Sequence, residues 1–318
     1  MKTLRLIFAF LLISIYGYSQ QNAPFTQYIF NEMIINPAYA GTKQLINING
    51  SYSIMWAGFE GAPTTQTISA EGPVYKNMGL GLHIINDMIG AQSQQGVFGS
   101  YSYIIQFNEK WRMSLGLALG VSNFTVDGAK LTQDNNVYDP AIPRTKVNKV
   151  RFDSKVGLFA YSDRFYAGLS VTELFADVWK SKDLLIAKQS RHYYLTSGYV
   201  FDAGKNLKIK PSFLLREDFK APADVDINCF FLIRELFWLG TTVRFGANIF
   251  KNPDLDKTLR SRNAMIFMTE WNITRSFRIG YSYTLSLTAL KNYSGHEIIL
   301  GYTFPKKADT KMRTPRYF

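Results

Sequence analysis

The feature that most restricts the fold of this chain is a strict alternation of apolar residues with small or polar residues over long segments. In the segment 111–121, alternate positions hold tryptophan, methionine, leucine and valine, and the positions between them hold arginine, serine, alanine and glycine. Successive side chains of a β-strand point to opposite faces, so this pattern predicts a strand with one apolar face. The pattern recurs at 237–249 and 276–286.

The length of these segments separates two classes of β-protein. A half-buried sheet of a soluble sandwich also shows such alternation. Strands of soluble proteins usually contain about 5–6 residues, whereas a tilted strand that crosses a membrane needs roughly 9–11. The alternating segments here run ten to thirteen residues, which favours a membrane protein.

Segments of this kind predict about fourteen strands, within a range of twelve to sixteen, and their connections alternate in length. Short turns are expected near 75–77, 108–110, 162–164, 203–206, 234–235 and 273–275. Longer loops are expected at 57–63, 88–93, 124–150, 173–190, 217–223, 251–261 and 287–295. An even number of antiparallel strands with short periplasmic turns and long outer loops is typical of outer-membrane barrels. We therefore predict an all-β transmembrane barrel over 43–304, in the outer membrane of a Gram-negative bacterium, with periplasmic termini.

The N-terminus has the features of a secretory signal peptide over residues 1–19. Lys2 and Arg5 precede a short apolar run, and Gly17 and Ser19 supply the small residues of a cleavage site. The apolar run is shorter than the roughly 20 residues of a spanning helix. A buried core helix is the alternative interpretation. After this run, no apolar stretch long enough for a spanning helix recurs.

Two segments lie outside the predicted strands. In 20–42, apolar residues at helical spacing precede Asn36-Pro37, which favours a turn. We expect a short helical hatch that packs into the barrel, because full exposure of Tyr28 to Ile35 would be costly; a disordered lead-in is the alternative. The tail 305–318 is basic. It is expected to be a solvated periplasmic extension or, alternatively, a docking peptide for an acidic partner.

Basic residues recur on the face assigned to the lumen. These are Arg112, Arg164, Lys208, Lys210, Arg244 and Arg278. One interpretation is a solvated or ion-paired lumen, with Asp87, Asp224, Asp226 and Glu297 as partners. The other is a lumen or rim that selects anions or attracts an acidic partner.

Signals for catalysis or cofactor binding are weak. The three histidines, His83, His192 and His296, lack the spacing of metal ligands. The sequence contains no nucleophile elbow, phosphate-binding loop or dinucleotide fingerprint. The single Cys229 excludes an intramolecular disulfide. We expect no enzymatic activity, no cofactor, no metal and no nucleic-acid partner, although the net charge is +12.

Three stretches in the first 90 residues resemble the PorP/SprF family of type IX secretion membrane proteins: Pro24 to Thr42, Trp56 to Thr67, and Gly79 to Gly90. The strand and loop plan continues to Phe304. The chain departs from the expected pattern at Ile54-Met55, where a basic or aromatic residue is expected before Trp56. The motif residues are Gln27, Tyr28, Asn31, Asn36, Pro37, Ala38, Tyr39, Gly41, Trp56, Gly58, Pro63, Gly72, Pro73, Gly79, Gly81, Asp87 and Gly90.

The resemblance implies a barrel of the type IX secretion and gliding machinery that lies among outer-membrane lipid. Its implied partners are a peptidoglycan-binding protein and ring lipoproteins in one branch of the family, or an exported surface adhesin in the other. We expect cargo contact at 124–150 and 173–190, and machine contact at 20–42 and 305–318. A porin or a hydrophobic-solute transporter with an N-terminal hatch is the alternative function.

Overall fold

A computed structural model describes residues 28–131, 145–178, 189–249, 264–288 and 290–304. These residues form fifteen strand segments and three short 3₁₀ turns, without an α-helix. The strand segments are β1 (Asn47–Ile54), β2 (Thr64–Tyr75), β3 (Met78–Ile89), β4 (Gln92–Gln106), β5 (Arg112–Asp127), β6 (Lys146–Tyr161), β7 (Phe165–Thr172), β8 (His192–Tyr199), β9 (Phe201–Asp202), β10 (Leu207–Glu217), β11 (Ala223–Ile233), β12 (Phe237–Ala247), β13 (Ala264–Asn272), β14 (Phe277–Ser286) and β15 (Ser294–Thr303).

The strands form one closed antiparallel barrel. Segments β8 and β9 both pair with β10 and are consecutive parts of one wall strand, so the fifteen segments make fourteen strands. Each strand pairs with its neighbours in the chain, and β15 pairs with β1 from Asn47↔Thr303 to Ile54↔His296. Closure leaves no free sheet edge, as the water-free core of a bilayer requires. The predicted barrel and its strand number are confirmed.

The two faces of the wall show that apolar residues lie outside and polar residues lie inside. In β6, Arg151, Asp153 and Lys155 are buried, whereas the intervening Phe152 is 64 % exposed. In the membrane, lipid contacts the outer apolar face and the polar face lines the lumen. Among the described residues, no helix is long and apolar enough to cross a membrane.

Aromatic side chains line the end of the barrel where the short turns lie, which we call the short-turn end; the opposite end is the long-loop end. On its outer face they form contacts between adjacent or nearby positions. These contacts are Trp111–Phe165, Tyr199–Phe201, Phe237–Trp271 and Tyr302–Phe304, with ring centroids 4.5 to 5.7 Å apart. Such a girdle marks a membrane–water interface, where aromatic rings are enriched.

Two of the predicted loops are shorter than expected. The expected loop 88–93 is a two-residue turn at Gly90 and Ala91, with Gly90 at φ +56°. The expected loop 124–150 begins only after Asp127 and ends before Lys146, because β5 and β6 remain paired up to these two residues. Their side chains form an ion pair with 3.7 Å between Lys146 Nζ and Asp127 Oδ2. Both hairpins therefore project further than the hydropathy pattern indicates.

Candidate functional site: a plug and its seat in the lumen

The segment 28–43 lies inside the barrel, and every residue in it is buried. The helical spacing in the sequence corresponds to two single 3₁₀ turns, Glu32–Ile34 and Pro37–Tyr39, and not to an amphipathic α-helix. Asn36 begins the second turn, and its side chain accepts a hydrogen bond from the Ala38 N–H at 3.0 Å. We call the segment 28–43 the plug.

The plug packs against a patch of the barrel wall that is lined by glycine. We call this patch the seat. A Cβ at Gly79 would overlap the Ala40 carbonyl oxygen, and one at Gly81 would overlap the sulfur of Met33. On β5, a Cβ at Gly116 would overlap the backbone of Pro37 and Ala38. Glycine at these wall positions lets the plug backbone approach the sheet closely.

The seat continues onto β6. Gly157 is the register partner of Gly116, and a Cβ there would overlap the Asn36 side chain. Gly79 and Gly81 belong to the motif recognised in the sequence, whereas Gly116 and Gly157 were not singled out. Glycine on the inward face of two successive strands was the available signal.

Hydrogen bonds join the plug to six strands of the barrel. Wall side chains satisfy plug carbonyls: Ser102 Oγ donates to Ala40 O at 2.6 Å, Lys155 Nζ to Ile34 O at 3.0 Å and Ser170 Oγ to Ile35 O at 2.8 Å. Further bonds are Asn31–Ser69 (2.9 Å), Gly41 N–Glu71 (2.6 Å), Asn36–Leu158 O (3.1 Å), Thr196–Glu32 (2.7 Å) and Asn228–Tyr28 (3.0 Å). These partners lie on β2, β4, β6, β7, β8 and β11, so the plug spans the lumen.

Charged residues of the plug are buried. Burial raises the pKa of Glu32 to about 7, opposed by the hydrogen bond from Thr196 and the charge of Lys210. Burial lowers the pKa of Lys43 to about 8, aided by the charge of Arg278 and opposed by that of Glu71. Both groups thus change protonation closer to neutral pH than they would in water.

Docking of the plug is expected to weaken as pH rises from about 5 to 8. Because the pKa of Glu32 is about 7 in the docked plug and 4.5 when exposed, docking stabilises the protonated form. This contribution is complete below pH 4.5 and lost as pH rises through 7, by at most about 3 kcal/mol. Lys43 acts only above its own pKa of about 8, where its neutral form favours docking.

Hydrogen exchange of the plug amides at pH 5 and pH 8, corrected for intrinsic rates, measures this dependence. The Glu32→Gln variant should lose most of it, whereas Glu60→Gln, at an exposed loop position, should retain it. Equal dependence in both variants would contradict the assignment to Glu32.

The motif residues occupy two places in the structure. Tyr28, Asn31, Asn36, Pro37, Ala38, Tyr39 and Gly41 are in the plug, and Gly72, Pro73, Gly79 and Gly81 are on β2 and β3. A Cβ on Gly41, at φ +72°, would lie 2.6 Å from Gly79 Cα. Gln27 lies outside the described residues.

The other motif residues lie at the long-loop end. Trp56 and Gly58 have positive φ, and Pro63 accepts a hydrogen bond from the Met55 N–H at 2.9 Å. Gly90 donates to the Gly61 carbonyl at 3.0 Å, and Asp87 accepts from Thr65 at 2.5 Å. This second group connects the β1–β2 loop with the β3–β4 turn.

The predicted lumen charges also lie in two places, inside the barrel and at the rim of the short-turn end. Arg244 forms two bonds of 2.6 and 2.7 Å with Asp226, and Asp224 pairs with Arg216, which the sequence did not single out. Arg278 contacts Asn49 and lies 3.6 Å from Glu270. Arg112 is buried on the inner face.

Arg164 and Lys208 lie closer to the end of the barrel than the other predicted lumen charges, in agreement with the short turns expected at 162–164 and 203–206. Both lie at the rim of the short-turn end, where Arg164 pairs with Asp202 and its side chain is 56 % exposed. Lys208 lies 3.5 Å from Asp202 and 3.8 Å from Glu235. Alternation specifies the face on which a residue lies but not its depth.

Comparison with known proteins identifies the family. The model for "Type IX secretion system membrane protein PorP/SprF" matches residues 17–302. The chain belongs to the PorP/SprF family. No curated protein matches the sequence with significance.

Solved structures with a similar fold are outer-membrane barrels. A CymD monoaromatic hydrocarbon channel has a TM-score of 0.51 at 12% identity and covers 90% of this chain and 94% of that chain. A Pseudomonas aeruginosa FadL homologue has 0.48 at 10%, covering 91% and 95%. The Acinetobacter baumannii outer membrane protein Omp33 has 0.46 at 10%, covering 83% and 100%. The similarity to the CymD channel shows a shared fold, and with the family match it points to the outer membrane.

Proposed function

We propose that this PorP/SprF protein is a closed, non-catalytic anchor that holds components of the type IX secretion machinery at the outer membrane. The family match supports the secretion role, and the plug, whose sixteen buried residues, 28–43, span the lumen, supports the closed state. A barrel filled in this way offers its two ends as binding surfaces instead of a conduit.

The assignment of the ends follows the general architecture of outer-membrane barrels. Short turns and both termini face the periplasm in such proteins, and long loops face outward. The short-turn end would then meet periplasmic peptidoglycan-binding or ring lipoproteins. The long loops 128–145 and 173–191 would meet an exported surface adhesin.

The experiment that tests this function is a mild-detergent pull-down of the tagged protein from outer membranes, with the bound proteins identified by mass spectrometry. Recovery of periplasmic ring components or of one large adhesin would support the anchor. A barrel recovered alone that conducts ions in planar bilayers would instead support the porin or solute transporter.

Replacement of residues 128–145 by a two-residue turn is expected to abolish surface retention of the recovered adhesin. The barrel should remain folded, because β5 and β6 stay paired up to Asp127 and Lys146, and closing a shorter loop costs less entropy. Surface adhesin is measured by antibody labelling of intact cells. Shortening 251–261, a loop not assigned to cargo, provides the control. Full retention in the first variant would count against cargo binding at this loop.

A further inference from the structure

A cleft of about 420 Å³ opens at the short-turn end, directly below the C-terminal end of the plug. Its inner part contains Lys43, Glu270 and Arg278, and its apolar lining includes Trp238 and Leu232. The turns that follow β11 and β13 form its rim. The cleft thus combines buried charges, an aromatic wall and access from outside the barrel.

The charge of the cleft is positive. Four cations line it, Lys43, Arg234, Arg275 and Arg278, against the two carboxylates Glu235 and Glu270. Both carboxylates already have basic neighbours, since Glu235 lies 3.8 Å from Lys208 and Glu270 lies 3.6 Å from Arg278. Within the described part of the chain, the rim residues Arg234 and Arg275 have no ion-pair partner.

The rim turn at 234–235 has a backbone conformation that is unusual for its residues. Leu236 N–H donates to the Ile233 carbonyl at 3.0 Å, and the two central residues have φ +51° and +57°. Turns of this kind favour asparagine and glycine. Arginine and glutamate are strained there because their side chains disfavour positive φ. The turn places Arg234 at the cleft. A sequence with asparagine or glycine at these two positions would close the hairpin with less strain.

The chain's own C-terminal tail is a poor match for this cleft. Thr303, two residues before the tail in the sequence, lines the cleft. The tail 305–318 carries Lys306, Lys307, Lys311, Arg313 and Arg316 against Asp309. Like charges repel, so a segment of opposite charge matches the cleft better than this basic sequence does.

We propose that the cleft binds an acidic segment of a partner protein, with an apolar side chain of that segment inserted against Trp238. The carboxylates of the segment would contact Arg234 and Arg275, and the inner cations would attract it to the cleft. The proposal deepens the anchoring function and rests on it for the identity of the partner, because that function places a periplasmic protein at this end.

The direct test measures binding of a fluorescent peptide of alternating glutamate and phenylalanine to the purified full-length barrel in detergent. The variant Arg234→Glu/Arg275→Glu should bind the peptide at least about tenfold more weakly, as expected for the reversal of two contacting charges. The control Lys76→Glu/Lys110→Glu makes the same change in net charge at turns away from the cleft. It should weaken binding by less than about threefold.

Other occupants give different results. Equal weakening in the two variants, or no binding by the wild type, would overturn the proposal. If the tail fills the cleft, replacing its basic residues by serine in the full-length chain would tighten peptide binding, which would also overturn it. Concentration-dependent dimerisation that the peptide inhibits would assign the cleft to a second copy.

Binding in detergent requires neither a membrane orientation nor a secretion system. A barrel that binds the peptide but recovers no secretion component from cells would therefore retain the cleft assignment and refute the anchor.

Discussion

Deletion of residues 28–42 is expected to open the lumen of this barrel, which the plug fills, and to make the protein conduct ions. The deleted residues form most of the plug, and each is buried within the lumen. Fourteen strands enclose a wider interior than the about eight that side chains alone can fill, so water should enter once the plug is gone. The newly exposed wall carries charged residues, including Lys155 and Lys210, which hydrate readily.

Single-channel recording in planar bilayers measures this change. The full-length protein should be silent, and the deletion variant should give stable current steps. The rim variant Arg164→Ala/Lys208→Ala leaves the plug contacts intact and should be as silent as the wild type. Current through the full-length protein would contradict closure by the plug, and a silent but folded deletion variant would show that another segment closes the lumen.

The wall of the barrel was predictable because each strand faces two different environments. Lipid outside and polar lumen inside impose opposite demands on alternate residues, so a segment such as 111–121 shows both its strand conformation and its faces. Prediction failed where the alternation disappears. Gln92 and Ser93 are polar on both faces, so they were assigned to the loop 88–93 although β4 begins at Gln92.

The plug site was predictable only in part. The apolar content of 28–35 predicted that the segment packs against the barrel, and these residues are buried in the structure. The residues that receive it were not predictable, because a glycine on the inner face resembles any other small lumen residue. The role of Gly116 and Gly157 requires knowledge that β5 and β6 are in register at these two positions. The position of Arg164 at the rim, by contrast, follows from the short turn predicted at 162–164.

Substitution of Gly116 by leucine is expected to displace the plug. A Cβ at this position would overlap the Pro37 and Ala38 backbone, and a backbone cannot rotate away as a flexible side chain can. Overpacking of a tight interior typically costs about 1–3 kcal/mol even where side chains can adjust. The plug amides should therefore lose protection from hydrogen exchange, and the variant should conduct in bilayers like the deletion variant.

Gly99→Leu provides the matched control. Gly99 lies on the adjacent strand β4 and faces outward, where an added Cβ would meet no atom within 4 Å. Leucine there adds apolar surface to the lipid-facing side, so this variant should keep a protected plug and a silent barrel. If both leucine variants conduct, the defect lies in the wall and not in the plug seat. If the plug amides of Gly116→Leu stay protected from exchange, the wall strands must shift to make room for the leucine. The close fit at the glycine seat would then not be what holds the plug.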